Sequence, residues 1–158
     1  MVVGASGGAA ATFVQAIEGT QAAVRVQQDV VYGKRTILVP AGYLQHPRMV
    51  QSLIAIAQNN ASHVVFVVEK GCAAAAGSPG LGTVFTCPVL GVVADAGSVL
   101  SATAHPAATV PDAGTEEAAS FAELRRLGVS EPFFSVNLQS LCGMDAVLDA
   151  LSGGRIGN

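Results

Sequence analysis

Small residues are spaced near the start of the chain in a way that suits phosphate binding. Gly4, Gly7 and Ala10 fit the pattern G-x-x-G-x-x-G/A within VVGASGGAAATFVQAIEG, residues 2–19. In such a loop the first glycine permits a tight turn and the second lets a pyrophosphate approach the backbone. The third small residue lets a helix pack closely on the preceding strand. The N–H groups at the helix start would then bind the phosphate. A glycine-rich turn without a ligand is the alternative, and the pattern leaves both open.

Two further polar residues have the positions expected for a dinucleotide site. Ser6 lies inside the glycine loop, where its hydroxyl can donate to a phosphate or cap the helix that follows. Asp29 lies 19 residues beyond Ala10, about the distance at which a dinucleotide-binding fold places the acid that accepts hydrogen bonds from the ribose. An acid there favours NAD over NADP, because it would repel a 2′-phosphate. A solvated loop aspartate is the alternative.

The residues of hydride-transfer catalysis are absent from their usual spacing. A short-chain dehydrogenase needs Tyr-x-x-x-Lys, but four residues beyond Tyr32 and Tyr43 stand Thr36 and Pro47. The three histidines have no metal-ligand spacing, and the three cysteines form no C-x-x-C pair. We therefore predict no catalytic residue and no metal site. Whether the chain is an enzyme stays open, with the missing pair favouring a negative answer, and the cysteines are expected as reduced thiols in an intracellular compartment.

Hydrophobic periodicity predicts the elements that must position the loop. A strand over 2–4 leads into a helix over Ala9–Glu18 that ends at Gly19, and a second helix covers Pro47–Gln58. The apolar run 63–68 is typical of a strand buried on both faces of a parallel sheet. We therefore predict an α/β fold, a truncated Rossmann-like parallel sheet with helices on both faces. The chain is expected to form one domain over 1–158, with a loop-rich insertion at 71–114.

The composition of the chain limits the classes of partner that it is expected to bind. Hydrophobic residues make up 51% of the chain and charged residues only 12%, so a homo-oligomer or a protein partner is expected to cover part of the surface. A net charge of −3 without a Lys/Arg cluster argues against nucleic acid. We expect no membrane span, because no run reaches 18 apolar residues. The lack of Lys or Arg before Arg25 argues against a signal peptide.

Three stretches resemble the NmrA-like, atypical short-chain dehydrogenase/reductase family. They are the opening unit quoted above, ILVPAGYLQHPRMVQSLIAIAQNNASHVVFVV (37–68) and AELRRLGVSEPFFSVNL (122–138), in the family's order. The resemblance implies a Rossmann-like core that binds NAD or NADP without dehydrogenase chemistry. The cofactor-binding residues that we predict are Gly4, Ser6, Gly7, Gly8, Ala10, Asp29 and Pro40. The chain ends where family members continue into a substrate lobe.

Two other functions stay open. The first is a structural or accessory subunit of a multiprotein complex whose cofactor site is degraded, which the low charge and the unmatched middle favour. The second is an enzyme similar to carboxyaminoimidazole ribonucleotide mutase, suggested by AAAAGSPGLGTVFTCPVLGVV at 73–93. That family's Ser-Ala-His-Arg segment and its N-terminal Gly-Ser-x-Ser-Asp loop are not found here.

Overall fold

The computed structural model describes residues 1–5, 8–19, 29–72, 74–97 and 113–153. Strands and helices alternate along most of this part of the chain. The strands are β1 (Val2–Gly4), β2 (Val31–Tyr32), β3 (Ile37–Val39), β4 (Val64–Glu69), β5 (Val89–Asp95) and β6 (Phe133–Asn137). The helices are α1 (Ala9–Glu18), α2 (Pro47–Asn60), α3 (Ala113–Arg126) and α4 (Met144–Leu151). Short 3₁₀ helices cover Ala41–Gln45 and Leu81–Val84.

The described strands form one sheet in the order β2-β3-β1-β4-β5-β6. All neighbouring pairs are parallel except β2 and β3, which form an antiparallel pair at one edge. The predicted α/β class, with a largely parallel sheet and helices on both faces, is confirmed. Within the described ranges, no helix is both long enough and apolar enough to cross a bilayer.

Two hydrophobic clusters lie on opposite faces of the sheet. One joins alternate residues of β4, including Val64 and Phe66, to buried side chains of α2 and α3 such as Leu53 and Leu124. The other joins the intervening β4 residues to Phe13 of α1 and to α4. Because side chains alternate across a strand, a strand between two helical layers must be apolar at successive positions. This explains the continuous apolar run of β4.

The first βα unit follows the sequence pattern closely. A Cβ added to Gly4 would lie 2.9 Å from the Ala10 Cβ, so the missing side chain lets α1 approach β1. Ala9 and Phe13 are fully buried on the same side of α1. The helix ends at Gly19, whose left-handed φ of 67° suits glycine and whose N–H donates to the Gln15 carbonyl.

The structure corrects several predicted boundaries. The helix predicted over Pro47–Gln58 extends to Asn60. The sequence at 84–94 predicts a strand, but β5 begins only at Val89, because a 3₁₀ turn ends at Val84. Thr115 has the residue type of a helix cap, but α3 begins at Ala113, so Thr115 lies within the helix. The sequence also predicts a β-rich stretch at 22–31 and a surface loop at 101–114, and both lie mainly outside the described residues.

Hydrogen bonds hold the connection between β4 and β5 against α3. The Arg126 guanidinium donates from Nη2 to the Ala75 carbonyl at 2.8 Å and from Nη1 to the Gly77 carbonyl at 3.1 Å. Its Nε donates to Glu123 Oε2 at 2.7 Å, and the same oxygen accepts from the Ala75 N–H at 3.3 Å. The Gly82 N–H donates to the Leu127 carbonyl at 2.6 Å. These hydrogen bonds, together with Ala75 and Leu81 in the hydrophobic core, give the Gly/Ala-rich stretch a defined path.

Candidate functional site

Polar groups collect at the carboxyl edge of the sheet. Strands β1, β3, β4, β5 and β6 run parallel, so their carboxyl ends meet at this edge. The chain passes from β1 to β3 on one side of β1 and then returns to β4 on the other. Ligands of open α/β sheets bind in the crevice outside the strand ends at such a reversal of strand order. The loop after β1 is therefore the first candidate site.

The loop after β1 joins the strand to α1 through four residues, 5–8. Gly8 precedes the helix and is exposed, and no side chain hydrogen bond caps the helix there. The Ala5 N–H donates to the Val67 carbonyl, and the Ala5 carbonyl accepts from the Ala76 N–H. Ser6 and Gly7, two of the predicted cofactor-binding residues, lie outside the described residues.

This strand, loop and helix have the length of a phosphate-binding P-loop, but they lack its reactive side chains. The P-loop pattern is G-x-x-x-x-G-K-[ST], in which the lysine reaches the β- and γ-phosphates and the hydroxyl binds Mg²⁺. With Gly4 in the first position, the last three positions are Ala9, Ala10 and Ala11. Ala10 stands at the lysine position and is 4% exposed. At these two positions the sequence therefore supplies neither the cation nor the hydroxyl of a P-loop.

The remaining predicted cofactor residues lie toward the edge of the sheet. Asp29 is exposed and comes just before β2. Because β3 separates β2 from β1, Asp29 is about two strand spacings, roughly 10 Å, to the side of β1. Pro40 follows β3, the immediate neighbour of β1. The position next to β1 at which a dinucleotide fold needs its ribose-binding acid thus carries Val39 and Pro40.

An acidic residue stands on the other side of β1. Glu69 ends β4, and Val65 and Val67 of the same strand pack in the cluster formed around α1. Strand alternation places Glu69 on this same face, beyond the end of β1. Partial burial raises the pKa of the Glu69 carboxyl, because desolvation disfavours its charged form. A carboxyl group here disfavours a phosphate in the crevice.

A second candidate site, which we name the polar cavity, opens at the ends of β4, β5 and β6 on the face covered by α3. Its volume is about 220 Å³. Lys70 Nζ lies 3.8 Å from Asp95 Oδ2 across it. The Ser135 hydroxyl donates to Glu117 Oε1 of α3. Those four residues line it together with Val93, Val136, Asn137 and Cys142.

The turn after β6 gives the polar cavity a fixed wall. Asn137 Oδ1 accepts the N–H groups of Gln139 and Ser140 at 3.0 and 2.9 Å, which directs the amide NH₂ of Asn137 away from the turn. The Asn137 N–H donates to the Cys142 carbonyl at 3.0 Å. Gly143 has a φ of 87°, and a Cβ there would collide with the Ser135 carbonyl. Only a residue without a side chain lets this turn close on β6.

Metal ligation and thiol chemistry receive no support from the described geometry. Across the ranges that the structure covers, no three His, Cys, Asp or Glu side chains are grouped as a metal ion would require. Cys72, Cys87 and Cys142 are free thiols. The chemistry of the two candidate sites is therefore that of hydrogen bonds and charges.

Comparison with known proteins identifies the family of the chain. A family model described as PduV-EutP, ethanolamine utilisation - propanediol utilisation, matches residues 1–150. The chain belongs to the PduV-EutP family. No curated protein matches the sequence. The family match spans the first loop, the β4–β5 connection and the polar cavity. It therefore includes the stretch 71–114, which the resemblance to NmrA-like proteins left unmatched.

The predicted relationship to NmrA-like dehydrogenases is wrong, because the whole matched length belongs to a different family. The assignment as an NAD(P)-binding protein of that family is wrong with it. Neither the accessory subunit with a degraded cofactor site nor the mutase-like enzyme is supported by the match. Strand order gives a physical reason: a dinucleotide fold orders its strands 3-2-1-4-5-6, whereas here β3 separates β1 from an antiparallel β2. A strand, a glycine loop and a helix are common to both arrangements.

The polar cavity was missed by sequence reasoning, although its residues carry a simple signal. Lys70, Asp95 and Asn137 each stand at or directly after the end of a strand. In a parallel sheet these ends share one edge, so polar residues at three successive strand ends predict a polar site. Glu117 gives no comparable signal, because only the packing of α3 brings it over β6.

Proposed function

We propose that this chain is a P-loop NTPase-like protein of bacterial ethanolamine or propanediol utilisation that works in association with a microcompartment and does not hydrolyse nucleoside triphosphates. The family match over residues 1–150 supports the pathway. The first βα unit supports the P-loop relationship, because β1 ends at Gly4 and four residues then lead into α1. A P-loop has the same order of strand, glycine loop and helix.

The absence of hydrolysis rests on one observation, the three alanines at the end of the loop. Phosphoryl transfer depends on positioning and on compensation of negative charge by a lysine and by Mg²⁺ held on a Ser/Thr hydroxyl. Ala10 and Ala11 supply neither group. Glu69 adds an acid to the same face of the sheet, and β3 beside β1 ends in Val39-Pro40 without an acid that could hold the metal.

A nucleotide assay with a restored loop tests this part of the proposal. The wild-type chain is mixed with GTP or ATP and Mg²⁺, and phosphate release and nucleotide binding are measured. We expect neither a rate above that of buffer nor binding that depends on Mg²⁺. The triple variant Ala9→Gly, Ala10→Lys, Ala11→Thr restores the consensus of the loop and should gain nucleotide binding, but without dependence on Mg²⁺, because β3 still ends in Val39-Pro40. Phosphate release by the wild-type chain would contradict the proposal.

Growth of the host tests the pathway. Deletion of the gene should slow growth on ethanolamine or on propane-1,2-diol and leave growth on glucose unchanged. Complementation with the wild-type gene should restore growth. Equal growth of the deletion and parent strains on both substrates would refute the assignment to these pathways.

A further inference from the structure

We infer that the polar cavity binds a small organic cation that carries an ammonium group and a nearby hydroxyl, that is, an amino alcohol. The ammonium would lie against Glu117 and Asp95, and the hydroxyl oxygen would accept from Asn137 or Lys70. The choice of an amino alcohol rests in part on the proposed function, whereas the charge and the small size of the ligand follow from the polar cavity.

Charge balance gives the sign of the ligand. Lys70 and Asp95, 3.8 Å apart, offset each other. Glu117 accepts the Ser135 hydroxyl, and no described cation forms an ion pair with it. A half-buried carboxylate with only a neutral partner is stabilised by an incoming ammonium, since a charged hydrogen bond is stronger than a neutral one. An anionic ligand would meet two carboxylates and one ammonium.

Donor groups beside the carboxylates give the second function of the ligand. Asn137 Oδ1 is already used by two backbone N–H groups, so the amide NH₂ is the group that Asn137 can offer to the cavity. Lys70, which lies beside Asp95, supplies further N–H donors. Both groups can donate to an oxygen acceptor such as a hydroxyl. A ligand with an ammonium for Glu117 and an oxygen for these donors is a short amino alcohol.

The volume and the fixed wall of the polar cavity suit a small ligand. Sites for drug-sized ligands have volumes of about 300–1,000 Å³, and the polar cavity has about 220 Å³. The wall after β6 is fixed by the Asn137 turn and by Gly143, whose backbone lies against Ser135. A site of this size on fixed elements suits a molecule of a few heavy atoms. The polar cavity also lies on the α3 face, away from the α1 face that carries the first loop.

A titration of the full chain, followed by amide NMR, tests the inference. The probes are ethanolamine (a cation with a hydroxyl), propane-1,2-diol (neutral) and glycolate (an anion), at equal ionic strength. Ethanolamine should shift the amide signals of residues around Lys70, Asp95 and Asn137 in a saturable way. The diol and glycolate should bind at least about tenfold more weakly, the ratio expected for one charged hydrogen bond.

Variants of matched charge separate a site from general attraction to an acidic protein. Glu117→Gln keeps the size of the side chain and an acceptor for Ser135, and it should weaken ethanolamine binding about tenfold. Asp149→Asn removes an equal charge from an exposed position on α4 and should leave binding unchanged. Asp95→Asn, which keeps an acceptor for the Gly97 N–H, serves as a second variant.

The outcomes distinguish this inference from the proposed function. Equal binding of ethanolamine and the diol, or equal weakening by Glu117→Gln and Asp149→Asn, would overturn the amino-alcohol site. Absence of saturable shifts in the wild-type chain would do the same. In each case the growth defect of the deletion strain would still stand, because it does not depend on this cavity. If instead the deletion strain grew normally and the protein bound ethanolamine specifically, the assignment to the pathway would be refuted and the amino-alcohol site would stand.

Discussion

Arg126 should contribute more to the stability of the fold than any exposed ion pair near it. Its guanidinium binds the carbonyls of Ala75 and Gly77 and the carboxylate of Glu123. Arg126→Met keeps the apolar stem and removes all three hydrogen bonds. Each hydrogen bond of a charged group is worth about 1.5–3 kcal/mol when buried. Because the Arg126 side chain is 33% exposed, we assign each of its two hydrogen bonds to carbonyl groups about half of that free energy.

The two carbonyl bonds then contribute about 2 kcal/mol, and the pair with Glu123 adds less than about 1 kcal/mol. The variant should therefore unfold with a free energy about 2–3 kcal/mol lower than wild type. For a chain of this length the melting temperature should fall by about 4–12 °C. Urea unfolding followed by circular dichroism measures the free energy of unfolding. Proteolysis should also cut first within 71–82, since α3 no longer holds that segment.

The neighbouring arginine supplies the control. Arg125 pairs with Glu131 and lies over the Phe133 ring, but its side chain is 58% exposed and that of Glu131 is 63% exposed. Arg125→Met should cost less than about 1 kcal/mol. If the two variants lose equal stability, the guanidinium of Arg126 does not hold the β4–β5 connection, and the reasoning fails.

Three further changes test the packing and the electrostatics of the fold. The Thr36 hydroxyl, and then the Arg35 N–H, lower the pKa of the Glu18 carboxyl by hydrogen bonding to its charged form. The resulting stability is present above the unfolded-state pKa of about 4.3 and is lost as pH falls through the lower folded-state pKa. Wild type should therefore have a higher melting temperature than Glu18→Gln at neutral pH, and this difference should vanish in acid. Gly128→Ala places a Cβ 2.9 Å from the Gly80 Cα at a φ of 81°, and it should cost at least about 1 kcal/mol in urea unfolding. Leu124→Ala opens a cavity at a fully buried position on α3 and should cost about 2–5 kcal/mol by the same measurement, with no loss of the sheet in the circular dichroism spectrum.

Local periodicity was sufficient to predict α1 and β4, because each carries its own burial pattern. Ala9 and Phe13 recur at helical spacing on the buried side of α1, and β4 is apolar throughout because helices cover both of its faces. The order of the strands was not predictable in this way. The antiparallel edge pair of β2 and β3 follows a stretch with no clear period, and that pair distinguishes this sheet from a dinucleotide fold.

The glycine loop shows why a correct local prediction led to the wrong family. Gly4 is required because Ala10 packs against it, a steric demand of any short strand–loop–helix unit. The demand exists whether the loop binds a dinucleotide, a triphosphate or neither. What separates these cases is the chemistry of the next residues, and alanine at positions 9–11 is equally consistent with close packing. The backbone pattern therefore indicated a fold class and left the ligand open.

Two different sites follow from the arrangement of charge at the carboxyl edge of the sheet. On the α1 face the loop carries no cation of the kind that a triphosphate requires, and Glu69 adds an acid on the same face of the sheet. On the α3 face Lys70, Asp95 and Glu117 surround a cavity that is short of one positive charge. Phosphate binding is disfavoured at the first site, and a cation is favoured at the second. We therefore expect ligand binding on the face of the sheet opposite to the first loop.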